Sequence, residues 1–115
     1  MGIILASSSP RRKKILENLG YNFDIIVPNI DEYNINNLNP IDYVIDVSKR
    51  KGLKIHQEYP NDFILSGDTI IEFNNKIIGK PISKEAAFRT LNILSGNSHY
   101  VISALSLTFS NNQIN

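Results

Sequence analysis

Apolar residues in this chain come in short runs and in helical stripes, and the two alternate. Ile3–Ala6 is a compact apolar run that predicts a buried strand. Ser9-Pro10 follows, with Ser suited to a helix N-cap and Pro to the first helical position. Ile15, Leu16 and Leu19 then supply one helical face, and Gly20 a stop. Residues 23–27 predict a second strand, and the Asn-rich residues 28–40 a loop carrying Asp31 and Glu32. Asn39-Pro40 opens a helix expected to run to Glu58, with Val44, Val47 and Ile55 on one face. Lys51 lies on that apolar stripe, four residues from both Val47 and Ile55. A lysine so placed either snorkels to solvent or is aimed at something inside.

Residues 63–66 predict a strand that Gly67-Asp68-Thr69 breaks. Residues 70–73 and Lys76–Ile78 flank Asn74-Asn75, a two-residue hairpin signal. Ser83 caps a further helix with Ala86, Ala87, Leu91 and Leu94 inward and Gly96 as its stop. Tyr100–Phe109 predicts a long strand, and the tail SNNQIN reads as the entry to a hairpin. The order β-α-β-loop-α-β-β-α-β indicates an α/β fold, a mixed β-sheet flanked by helices. No repeat or linker divides the chain, so one domain over residues 1–115 is expected. The long last strand, with no partner predicted after it, implies a folding unit that continues beyond Asn115.

Composition excludes several classes. At 115 residues, 42% hydrophobic, the chain has the material for a packed core, and a net charge of +1 sets up no global field toward nucleic acid or a membrane. With no cysteine, there is no disulfide framework and no thiolate metal site, which fits a reducing, cytoplasmic compartment. The apolar start is too short for a signal peptide, and no segment approaches the length of a membrane span. The Met-Gly opening has Ala6 where a myristoylation signal wants Ser or Thr. His56 and His99 lack metal-ligand spacing and read as structural or surface residues.

One local contradiction points to chemistry. Arg11, Arg12, Lys13 and Lys14 follow Pro10 directly, where the helix macrodipole favours anions. The capping-box position holds Arg12 in place of an acid. The missing negative partner is then a ligand. Strand, small-residue turn and helix N-terminus form an anion site around Ser7, Ser9, Arg11 and Arg12, and guanidinium forks match phosphate oxygens. A solvated basic face is the alternative. Asp68 beside Gly67 could ligate Mg2+ or activate a water, or could simply be turn chemistry. Lys80, in Gly79-Lys80-Pro81, reads alone as an exposed turn lysine, and Asp31 and Glu32 as solvated acids. Taken together, the set fits phosphoryl transfer: cations to bind a polyphosphate, and a carboxylate to place water.

These same residues resemble the Maf family of nucleoside triphosphate pyrophosphatases. LASSSPRRKKILENLG, Asp31-Glu32, Lys51, SGDTII, GKP and AFRTLNILSGNSHYVISALSL occur in the family's order over nearly the whole chain. The resemblance implies hydrolysis of a nucleoside triphosphate to the monophosphate and pyrophosphate with a divalent metal, Mg2+ or alternatively Mn2+. It also implies a fold similar to the inosine-triphosphate pyrophosphatases, and a homodimer. By position, Asp68 matches the family's proton acceptor and a metal ligand, and Glu32 an acidic residue near the metal. Ser9, Arg11, Arg12, Lys51 and Lys80 match phosphate-facing positions. Arg12 and Thr69 fall where the family's base preference varies. The Arg-Arg and Asp-Thr pairs resemble the branch acting on dTTP and UTP. The 7-methyl-GTP branch carries Trp at the first Arg position and Gln after the Asp.

Family members continue past this length into a Gly-Ile-Gln-Gly-like turn whose Gln contributes to the nucleotide site. The chain is therefore expected to be the N-terminal portion of the domain. A chain that binds nucleotide without catalysis is the alternative. A nucleic-acid contact through the basic helix is a remote third reading, since no aromatic stacking platform occurs between Met1 and Gly20.

Overall fold

Local signals start both early helices. Ser9 caps α1 (Pro10–Asn18) by accepting from the Arg12 N–H, and Asn39 caps α2 (Pro40–Glu58) by accepting from the Asp42 N–H, each with Pro at the first helical position. The computed structural model describes residues 2–31, 37–78, 83–96, 98–110 and 112–115. Its other elements are β1 (Ile3–Ala6), β2 (Asp24–Ile25), β3 (Phe63–Phe73), β4 (Lys76–Ile78), α3 (Lys84–Leu94), β5 (Tyr100–Phe109) and β6 (Asn112–Ile114). The strands form one six-stranded mixed sheet in the order β2-β1-β3-β5-β6, with β4 also paired to β3. β1 runs parallel to β2 and β3, and the β3–β4, β3–β5 and β5–β6 pairs are antiparallel. Among the described residues, no helix is long and apolar enough to cross a membrane.

The core lies between α2 and the sheet. Ile4 and Ala6 of β1, Val44, Val47 and Ile55 of α2, and Ile64 and Ile70 of β3 are buried there. The three α2 residues are those of the stripe read from the sequence. A polar seam runs through the same interface. Ser66 Oγ donates to the Ser48 carbonyl at 2.8 Å, and the Ser48 and Ser106 hydroxyls lie 2.8 Å apart. These three serines are fully buried and hydrogen-bonded, as a buried hydroxyl must be to avoid a desolvation penalty.

Four features differ from the sequence reading. Residues 67–69 do not break a strand, because β3 runs unbroken through them to Phe73. Its partner β5 supplies a ladder from Ile64↔Thr108 to Glu72↔Tyr100, and this long-range pairing overrides the local turn signal. Gly67 is a close-approach position: a Cβ there would sit 2.9 Å from the Ala104 carbonyl oxygen. Leu91 of α3, expected inward, is 65% exposed, and of the apolar face read along α1 only Leu16 is buried, Ile15 and the C-cap residue Leu19 being 57% and 65% exposed. Finally, β5 is not left without a following partner. β6 pairs with its end at Leu107↔Ile114, Thr108↔Gln113 and Phe109↔Asn112. The second strand is also shorter than residues 23–27.

Candidate active site

The topology fixes where a ligand can enter. From β1 the chain crosses through α1 to β2 on one side, then through α2 to β3 on the other. Strand order thus reverses at β1, and in parallel α/β arrangements the crevice beyond the carboxyl ends at such a switch point is where ligands bind. Right-handed crossovers in opposite directions put α1 and α2 on opposite faces. β5 occupies one edge of β3 along nearly its whole length, so β1 and β4 must share the other. β1 reaches only to Ser66 and β4 begins at Ile71. Residues 67–70 are the open stretch between them, and Asp68 and Thr69 sit there.

A cleft of about 460 Å3 opens at this gap, lined by Ser7, Ser8, Ser9, Arg11, Arg12, Val27, Pro28, Lys51, Asp68 and Thr69. Strand alternation sends Asp68 toward the α2 side and Thr69 toward the α1 side. Lys51 Nζ reaches Asp68 Oδ1 at 3.3 Å, with side-chain exposures of only 16% and 9%. A carboxylate so shielded would pay a large desolvation cost without a cation beside it. On the other side, Arg12 Nη1 donates to Ser7 Oγ at 3.2 Å and Nη2 to Thr69 Oγ1 at 2.9 Å. Ser7 Oγ also accepts the Ser9 N–H at 3.1 Å, which tightens the turn before α1. Among the described residues, the amino end of α1 therefore opens into a cleft walled by Arg11, Arg12 and Lys51, with the Asp68 carboxylate at its base.

The structure thus brings Ser9, Arg11, Arg12, Lys51, Asp68 and Thr69 into one cleft. Glu32 and Lys80 lie outside the described residues. Two contributors were missed from the sequence. Ser103 of β5 bonds Thr69 Oγ1 at 2.8 Å, and Arg50 ties the loop before α2 to that helix, bonding the Asp31 carbonyl and Asp46. Neither has a local signal, since each depends on a register or loop path that only the folded chain defines. Among the described residues, no group of three or more His, Cys, Asp or Glu gathers as a metal cluster.

Residues 2–115 match the family described as Maf-like protein. This chain belongs to the Maf family. Among its Maf relatives are dTTP/UTP pyrophosphatases. That of Fusobacterium nucleatum is 42% identical over 102 residues, covering 89% of this chain and 53% of the relative. That of Clostridioides difficile is 41% identical, over 93% of this chain and 55% of the relative, and that of Pyrococcus furiosus 43% identical, over 87% and 52%. The chain spans about half the length of the curated Maf proteins it matches. A solved structure, a nucleoside-triphosphatase (dITP/XTP pyrophosphatase) of Mycobacterium abscessus, superposes with a TM-score of 0.56 at 13% identity, over 99% of this chain and 69% of that one. At that identity the likeness is one of fold, and it agrees with the mixed sheet described above.

Proposed function

We propose that this Maf chain carries the polyphosphate-binding and water-activating part of a nucleoside triphosphate pyrophosphatase site, with dTTP and UTP as substrates. The observation that carries the reading is the shielded Lys51–Asp68 pair in the same cleft as the Arg12 guanidinium and the amino end of α1. Relatives at about 40% identity bear the name dTTP/UTP pyrophosphatase, which supports the choice of nucleotide. In this reading Arg11, Arg12 and Lys80 hold phosphate oxygens, and the Ser9 hydroxyl and the backbone N–H of Arg11, which neither the cap nor the first helical turn uses, donate beside them. Lys51 pairs with Asp68 and orients it. Asp68 takes a proton from the attacking water as its oxygen bonds to the α-phosphorus. The bond from that phosphorus to the α,β-bridging oxygen breaks, and its electron pair leaves with pyrophosphate.

A divalent cation fits the donor set in one specific manner. Asp68 offers a lone carboxylate in the described cleft, too few donors for an all-protein cage, but Mg2+ is commonly held by one or two carboxylates plus substrate phosphates. Asp68 and Glu32 are the residues that would hold it. Once bound, such an ion neutralises charge on the phosphate oxygens.

The test is pyrophosphate release from dTTP, UTP and 7-methyl-GTP by this chain with Mg2+. The expected result is turnover of the first two, lowered about 10²-fold or more by Asp68→Asn. Turnover unchanged by that substitution would sink the reading. A second reading, binding without catalysis, is favoured by one fact, that the chain spans about half of its relatives. Saturable nucleotide binding with no release of pyrophosphate would establish it.

A further inference from the structure

An arginine side chain is long and flexible, and freezing it on a ligand costs rotamer entropy, so a guanidinium already fixed before binding is worth more than a mobile one. Arg12 is half-buried and fixed on three sides. Nη1 donates to Ser7 Oγ and Nη2 to Thr69 Oγ1. On the third side, the head lies against the bare backbone of Gly67, where a Cβ would come within 2.9 Å of Nε and 3.0 Å of Cζ. Arginine has no acceptor, so Thr69 must spend an oxygen lone pair on it. What fixes the Thr69 hydroxyl is then the question. Ser103 stands directly opposite Thr69 in the β3–β5 register, and its Oγ lies 2.8 Å from Thr69 Oγ1. Whether Thr69 donates to Ser103 or accepts from it through its second lone pair, the rotor is locked with one lone pair left for Arg12.

We propose that Ser103, which does not line the cleft, is a positioning residue that acts through Thr69 to hold the Arg12 guanidinium. Gly67 provides the flat floor of this seat. With one N–H on each terminal nitrogen spent on Ser7 and Thr69, a second N–H on each remains for phosphate oxygens. The inference rests on the reading that Arg12 faces substrate phosphate, but the seat itself can be measured without any ligand.

The first measurement is the NMR order parameter of the Arg12 Nε–H in the 115-residue chain alone. It is expected to be high, to fall in Ser103→Ala and Thr69→Val, and to recover in Ser103→Thr, which keeps the hydroxyl on an exposed strand position. The second is calorimetric affinity for inorganic pyrophosphate. Ser103→Ala should weaken it about two- to five-fold, the scale of one cross-strand hydroxyl pair. The same substitution in an Arg12→Ala background should cost nothing further, because only a residue acting through Arg12 shows that non-additivity. An Nε–H signal unmoved by Ser103→Ala, or an undiminished penalty in the Arg12→Ala background, would overturn the proposal. A rigid Arg12 in a chain that binds no pyrophosphate would overturn the phosphate-site reading and leave the seat standing.

Discussion

At the scale of single residues, the Lys51–Asp68 pair decides both stability and chemistry. Its two groups are shielded unequally, the carboxylate more than the ammonium. A lysine deprived of its partner can slide its flexible stem toward solvent, whereas a short aspartate on a central strand cannot. Lys51→Met should therefore destabilise the chain by about 1–3 kcal/mol, and Asp68→Asn by less, as read from urea midpoints. The double variant should lose less than the sum of the singles, since the charge that each single change strands is gone. A Lys51→Met midpoint equal to the parent would show that the pair carries no stability. The sequence revealed Lys51 because a charge on an apolar stripe is a local anomaly. It could not reveal Ser103, an ordinary serine in a strand, whose importance comes from standing opposite Thr69 in a register fixed by residues far away in sequence.

At the scale of elements, α2 links the fold to the site, and its closeness to the sheet rests on Gly52. Replacing a helical glycine by alanine ordinarily stabilises by about 1 kcal/mol. Here the new Cβ would meet Thr108 Oγ1 at 2.6 Å and Ser66 Oγ at 2.8 Å. Both are short, fully buried side chains and cannot swing aside. Overpacking costs about 1–3 kcal/mol, so the clash should outweigh the helical gain. Gly52→Ala is expected to lower the urea midpoint and, by lifting Lys51 away from Asp68, to lower turnover as well. A raised midpoint would refute the close-docking account.

Helix boundaries were legible because they are local: Ser9-Pro10 and Asn39-Pro40 each carry a cap and a proline within two residues. The Asn74-Asn75 hairpin was legible for the same reason, both residues adopting the left-handed φ values of 51° and 62° that Asn tolerates. β3 was misread at its midpoint because Gly-Asp-Thr carries a local turn signal, while the ladder that keeps the strand straight comes from residues 100–108. Leu91 was misread as inward, and Ile15 and Leu19 lie exposed on their apolar face, because periodicity reports an apolar face and not what covers it.

At the scale of the whole molecule, charge is balanced overall but not evenly spread. The net charge is +1, yet Arg11, Arg12 and Lys51 line one cleft with a single described carboxylate. Attraction of an anion is therefore local, and the amino end of α1, with cations opposing its dipole, is strained in electrostatic terms until an anion arrives. A ligand that binds only the folded state raises stability by RT ln(1 + [L]/Kd), or about 2.7 kcal/mol at a hundredfold excess over Kd. For a chain of this size, that corresponds to a rise of roughly 10 °C in melting temperature. Inorganic pyrophosphate should produce a shift on this scale in a thermal melt. Arg12→Ala should remove most of it, and 1 M NaCl, with a screening length of about 3 Å, should reduce it. Lys84→Ala, on α3 and absent from the cleft lining, should leave it intact. If Lys84→Ala and Arg12→Ala reduced the shift equally, the effect would belong to diffuse surface charge, and the cleft would lose its claim to the phosphate.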